Sequence, residues 1–564
     1  MTRREFFFKP TPEPAKDTGG LEPFRGKWTT DHAAHLLRRT MFGARVSDIK
    51  TMASGSMADA VDKLLSAPTP PNPIRPVKYL GDGSDYPGDP SDWTHLAYVD
   101  PTTDLGWFTF LQTWHYKQML EQPVSINEKM ILFWHNHFCT SYSTVKDARY
   151  MYKTHALIRE QALGNFKKLT REITIDPGML CYLNGNTNTK TGPNENYGRE
   201  LLELFTLGKG PEIAPGNYTN YTEADIKTAA KVLSGWKDDP KSITVIFADE
   251  HHDASNKQFS SAIANTVITG RTGQPGAEQE LDDLMTMLFA HKATAHYLCQ
   301  KLYRWFVSPT ISEEIEKKII TPLAATYREH NYEIVPVLQQ LLSSAHFYDA
   351  SVRGAMIKNP IDLSVGIMRT AQMDAYDRAG YFEDVFPSQK PQLASDPGNL
   401  HYALRPFRIA VSGMQYDLQN PPSVAGLPSY YQQPQLDKLW INADTLQRRV
   451  KMIDDLIVTH FMFDSGYGST RLNVIALAKQ TSDPSKASVL QAELTDLLFA
   501  VKVPAEHQAK AKTLLLGTMT EEQWTVAWND YLRNKDDAEK MGKVDTNLRT
   551  MLRYLLGLAE YQLV

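Results

Sequence analysis

The stretch Pro-Asn-Glu-Asn-Tyr-Gly-Arg-Glu-Leu-Leu-Glu-Leu-Phe-Thr-Leu-Gly runs from Pro193 to Gly208. Pro and Asn favour a turn and a helix start, and the closing Gly is the usual residue just past a helix C-terminus. Tyr197, Leu201, Leu204 and Gly208 fall three or four apart, so one face of the predicted helix packs inward. Three carboxylates, Glu195, Glu200 and Glu203, ride on it. Glu195, Arg199 and Glu203 are spaced four apart, a ladder that a solvated helix face uses for modest ion-pair support. Glu200 has no partner at such a spacing. With Glu203 one turn away it makes a pair of the kind that binds a metal from one side. The residues alone leave both readings open.

Working outward, the next informative stretch is His135-Asn136-His137-Phe138-Cys139. It ends a helix whose Met130 to Trp134 are apolar all the way round, the mark of burial on every side. Ser125 and Glu128 have the spacing of a capping box at its start. Two histidines two apart point to roughly opposite sides of a regular helix and converge only where it ends or extends. A buried imidazole must be neutral, hydrogen-bonded or bound to a metal. A third polar run, Asp249-Glu250-His251-His252-Asp253, is either a ligand set or a solvated turn.

Between and around these stretches the pattern is helical. Thr30–Arg39, Ser56–Ser66, a series Phe108, Leu111, His115, Met119, and 153–172 carry helix spacing. So do a segment capped by Thr222, pairs around Leu284 and Leu302, and a helix opening at Asn359-Pro360. Residues 443–461, 486–500, 521–534 and 545–560 follow. Only 243–247 reads as a short strand. Residues 67–98, 381–406 and 420–434 are rich in Pro, Gly, Asp or Asn and read as loops. The expected fold is mainly α: a multi-helix globular bundle with long Pro/Gly-rich loops and little or no β-structure. Three regions are expected: a tail over 1–27, a helical core over 28–375 carrying the His/Glu motifs, and a C-terminal helical region over 376–564.

The chain has 564 residues, too many for one ordinary core. Its 42% apolar and 22% charged residues are those of an ordinary globular protein. A net charge of −5 is small for this length and lacks the basic footprint of a nucleic-acid site. Cys139, Cys181 and Cys299 form neither a disulfide framework nor a zinc ribbon, though Cys139 sits beside the histidines. No apolar run reaches the length of a membrane span. Arg3-Arg4 resembles a twin-arginine signal, but residues 10–20 lack an apolar core. A cytoplasmic protein is expected as written, with export to the periplasm or cell envelope as the alternative.

Several motifs together resemble the bacterial domain-of-unknown-function 1800 family. They include Glu128-Lys129-Met130 with Phe133-Trp134-His135-Asn136-His137-Phe138, Asp176-Pro177, and Asn194-Glu195-Asn196-Tyr197 with Arg199-Glu200-Leu201. Glu203-Leu204-Phe205-Thr206-Leu207-Gly208, His252-Asp253 with Lys257, Lys301-Leu302 and Pro421-Pro422 with Val424-Ala425-Gly426 extend the resemblance over about residues 30 to 460. Asn184, Ser255 and Leu427 depart from the family pattern. The resemblance implies a mostly helical fold. It also implies a link, by association alone, to sulfatase-like secreted proteins.

Two functions are expected from these features. One is a metal-dependent enzyme, an oxidoreductase or hydrolase, with a buried centre. Its metal ligands would be His135, His137, Glu200, Glu203, His252 and Asp253, a mixed set suited to iron, manganese or zinc. Glu200 or Glu203 would then move protons, and Arg199 or Lys257 would hold an anionic substrate. The other is a non-catalytic binding or assembly protein of the cell envelope, working with a sulfatase-like partner, whose buried polar residues fix packing.

Overall fold

The computed structural model describes residues 19–68, 94, 96–373, 397–459, 461–462, 469–534 and 538–564. The Arg3-Arg4 leader, most of the 67–98 loop and the 375/376 boundary lie outside the described residues. The fold is mainly α, as expected. Its β-structure among the described residues is a set of two-stranded antiparallel ribbons, the longest pairing Trp236–Asp239 with Thr244–Phe247. No helix among the described residues is long and apolar enough to cross a membrane.

Helix Asn127–His137 is the axis around which the site is built. Ten of its eleven residues are buried, as its unbroken apolar run requires. Trp134 is fully covered and donates its indole N–H to the Ala162 carbonyl at 2.9 Å, so its polar edge is satisfied inside the core. Pro101–Glu121 and Ala148–Glu160 pack beside it, each started by an aspartate. Asp100 accepts from the amides of Thr102 and Thr103, and Asp147 from those of Arg149 and Tyr150. Such caps are worth about 1 kcal/mol each. The buried apolar side chains around this axis form one continuous cluster with members from Ala33 to Tyr561.

Four local expectations are corrected. The segment 153–172 is two helices, Ala148–Glu160 and Phe166–Thr174, broken at Gly164-Asn165, where the Asn165 side chain caps the second. Ser125 and Glu128 do not form a capping box: the Glu128 carboxylate is turned to Arg159 instead. A buried bidentate guanidinium outcompetes one backbone amide for a carboxylate. Part of 381–406 is helical, because Pro397–Gly413 runs through Pro406. Asp176-Pro177-Gly178 is a helix start, with Asp176 capping Pro177–Tyr182.

Candidate functional site

Asn194 caps the helix Glu195–Glu200 by accepting from the Asn196 amide, as the sequence order demands. The chain then widens into a π-helical turn over Leu201–Thr206. Its signature bond runs from the Leu207 amide to the Leu202 carbonyl at 3.0 Å. The Thr206 hydroxyl reaches back to the Leu201 carbonyl. A π-turn releases carbonyls that an α-helix would use, and such turns are frequent at functional sites. Gly208 ends it at φ +68°, where a Cβ would lie 2.7 Å from the Tyr297 ring.

The Leu204 and Phe205 carbonyls, left open because the helix ends here, are taken by two distant side chains. His137 lies 3.0 Å from the Phe205 carbonyl through Nε2 and 3.0 Å from Lys301 Nζ through Nδ1. Lys301 also donates to the Leu204 carbonyl at 3.1 Å. The consistent arrangement has Nε2–H donating to Phe205 and the Nδ1 lone pair accepting from Lys301. Burial and the neighbouring Lys301 push the His137 imidazolium far below its ordinary range. Burial also brings Lys301 down to about 7. Cys139, fully buried beside them, is pushed up to about 12 and stays a thiol.

The two acids of the π-turn differ in how well they are held. Glu203 accepts from the Tyr221 hydroxyl at 2.7 Å and stands 3.5 Å from Lys209. Glu200, half-buried, makes no hydrogen bond or ion pair among the described residues. Burial, reinforced by the charge of Glu203 and only partly offset by Arg199 and Lys209, raises its carboxyl from 4.5 to about 7. Tyr182 and Tyr297 feel the same negative charge. A half-exposed acid that titrates near neutrality can exchange protons with a bound molecule. Arg199 is engaged elsewhere, in a two-pronged bond to Glu223 at 2.6 and 2.7 Å.

His135 serves a different neighbourhood from His137, as two-residue spacing on a helix dictates. It sits near His115 and His155, and burial depresses it to about 4. The end of its helix is pinned from outside by the loop 420–428. The Leu427 amide donates to the Asn136 Oδ1 at 2.9 Å. Gly426, at φ +90°, lies so close that a Cβ would come within 2.6 Å of that oxygen.

His252, Asp253 and Lys257 form a third group. His252 bonds the Ser234 carbonyl at 2.8 Å and stands 3.3 Å from Glu280, which Lys257 also binds. All three side chains of that triad are fully buried. Burial alone would raise Glu280, but the bonds from His252 and Lys257 more than offset it and hold the carboxyl below its ordinary value. Asp253 accepts from the Ser255 amide and hydroxyl and lends its own carbonyl to Lys257. Glu280, Glu128, Lys301 and His155 therefore complete networks in which sequence reading placed only one side. Helical spacing buries them, but nothing in one sequence pairs residues that lie 23 positions apart, as Lys257 and Glu280 do, or 164 apart, as His137 and Lys301 do.

The six expected metal ligands thus divide among three neighbourhoods. Among the described residues, no group of three or more His, Cys, Asp or Glu side chains is arranged to hold a metal ion. A family model described as "Protein of unknown function (DUF1800)" matches residues 35–563. No curated protein and no solved structure shows a significant match.

Proposed function

Since the chain belongs to this family of proteins of unknown function, DUF1800, we propose from the site itself that it is a metal-dependent enzyme built on the Glu200–Glu203 pair, with Glu200 giving up its proton as the ion binds. One observation carries this reading: a half-buried carboxyl without a partner, raised to about 7, beside a second carboxylate on a π-turn. Glu200 and Glu203 are the pair that would take a divalent ion from the open side. The ion would displace the proton that Glu200 otherwise holds at neutral pH. Hydrolysis or oxidation both fit such a centre.

The test is direct. Carbon NMR of glutamate-labelled protein should show one carboxyl titrating near 7, absent from Glu200→Gln. Calorimetric titration with manganese or zinc at pH 6 should release a proton, and should lose that release in Glu200→Gln. A protein with no carboxyl titrating above about 6 removes the acid–base role. Metal binding indifferent to both Glu200→Gln and Glu203→Gln removes the carboxylate pair as ligands.

A second reading is favoured by the His137–Lys301 and His252–Glu280–Lys257 networks, which are satisfied internally. It is a binding or assembly protein of the cell envelope with a sulfatase-like partner, its buried polar groups fixing the packing. Absence of both the titration and metal uptake would leave this reading in place.

A further inference from the structure

Lys358 stands just before helix Pro360–Thr370 and lines a small cleft together with Thr370 from that helix and Arg38 from helix Thr30–Thr40. Leu497, Leu498 and Leu563 supply an apolar wall, and the Lys358 amine sits 3.7 Å from the centre of the Tyr561 ring. The cleft is partly open to solvent, and the free space inside it is that of about two water molecules. A phosphate, a sugar or a cofactor has no room there.

The amine is held differently from those of the other inward-facing lysines. Lys129 is bonded to Asp362, Lys257 to Glu280, and Lys301 to His137 and the Leu204 carbonyl. Lys358 has neither a hydrogen bond nor an ion pair at its amine among the described residues, only the Tyr561 ring. Arg38 repels its ammonium, and so does Arg449, whose guanidinium grips the Lys358 carbonyl at 2.8 Å. Asp362 pulls the other way, but it is already shared by Lys129 and Asn359. Burial, then Arg38 and Arg449, bring Lys358 down to about 7, so a large part of it is neutral amine near neutrality. Arg38 keeps a free edge beside it. Its Nη2 donates to the Asp496 and Leu497 carbonyls at 2.7 and 3.0 Å, which leaves Nε and Nη1 without a partner among the described residues. The Thr370 hydroxyl makes no hydrogen bond among them either.

We propose that Lys358 takes up carbon dioxide as a reversible carbamate, held by Arg38 and the Thr370 hydroxyl. The amine lone pair attacks the carbon of carbon dioxide. A C–N bond forms, one C=O π pair moves onto oxygen, and the nitrogen gives a proton to water. A linear molecule of three atoms suits a cleft of this size, and the step needs no oxidant and no further reactant. A desolvated, neutral lysine amine is the nucleophile such an addition requires. The product replaces a repelled ammonium by an anion beside a guanidinium, which favours uptake. The carbamate then links helix Thr30–Thr40 to the start of Pro360–Thr370 by an ion pair that the bare amine cannot make. The site shares no residue with the Glu200–Glu203 pair and does not depend on a metal there.

The test uses the full chain in isotope-labelled bicarbonate at about pH 8, where such an amine is neutral. Carbon NMR should show a carbamate carbonyl resonance apart from those of bicarbonate and carbon dioxide, and it should vanish on exchange into carbonate-free buffer. Lys358→Arg should abolish it, and Arg38→Gln should weaken the uptake by at least about tenfold. Trapping the wild-type carbamate as its ethyl ester with an oxonium salt, followed by peptide mapping by mass spectrometry, should place it on Lys358. That measurement decides the matter even where a variant fails to fold. No carbamate in the wild type, or one confined to the α-amino group or to other lysines, overturns the proposal. Uptake that Lys358→Arg leaves intact overturns it as well.

Discussion

Replacing Glu200 by Gln should make the protein more stable at alkaline pH, which is the opposite of the usual effect of a core-facing substitution. The folded carboxyl titrates at about 7 instead of 4.5. A folded value above the unfolded one means that the fold prefers the protonated form. The ionised carboxylate therefore lowers stability progressively from pH 4.5 to 7, and by a constant amount above that. Full transfer of the displacement would be about 3.4 kcal/mol, at about 1.36 kcal/mol per pH unit. Glu200 is only half-buried, so solvent screening reduces this to about 1–2 kcal/mol. Glutamine has the same shape and no charge. Urea unfolding at pH 8.5 should then show the variant more stable by that amount, with the two proteins indistinguishable at pH 4. A variant equally or less stable at pH 8.5 would mean that Glu200 is stabilised in its charged form, and the argument for a retained, strained acid would collapse.

Three further outcomes follow from the same accounting. His137→Ala strands the Lys301 ammonium donor and the Phe205 carbonyl and opens a cavity, so stability should fall by about 3–5 kcal/mol in urea unfolding. Glu280→Gln leaves Lys257 buried without its counter-charge and should cost about 3–5 kcal/mol, read the same way. His135, at about 4 in the folded state against an ordinary 6.5, stays neutral in the fold while the unfolded chain takes up a proton. Its share of stability, about 3 kcal/mol, is complete above pH 6.5 and lost as the pH falls towards 4. Unfolding midpoints measured across that window should drop, and drop less in a His135→Phe variant.

The helices were legible because they rest on local periodicity. Leu281, Leu284 and Leu288, or Leu298, Leu302 and Phe306, announce their faces within a few residues, and each lies buried in its helix. The His135/His137 geometry was only half legible: two-residue spacing on a continuous helix sends the rings to different neighbours, but the sequence left open whether the helix ends there, and the single ligand set expected of the two did not form. What stayed hidden was pairing. Glu128 has the spacing of a capping box, and only the arrival of Arg159 diverts it. The π-turn at Leu201 was equally invisible, because Leu-Leu-Glu-Leu-Phe-Thr suits an α-helix just as well. The partners of its last-turn carbonyls were hidden as well, since His137 and Lys301 come from distant parts of the chain.

The decisive distinction within the polar interior is between balance and imbalance. The His252–Glu280–Lys257 and His137–Lys301 groups balance their donors and acceptors, and such closed networks hold elements in register without needing a ligand. Glu200 does not balance: it is an acid that the fold would rather keep protonated. Selection for stability alone would have replaced it with glutamine. Residues that a fold tolerates at a cost are where chemistry with something outside the chain is to be sought, and in this chain that acid is half-exposed. That half-exposure is why exchange with a bound molecule is proposed at the π-turn.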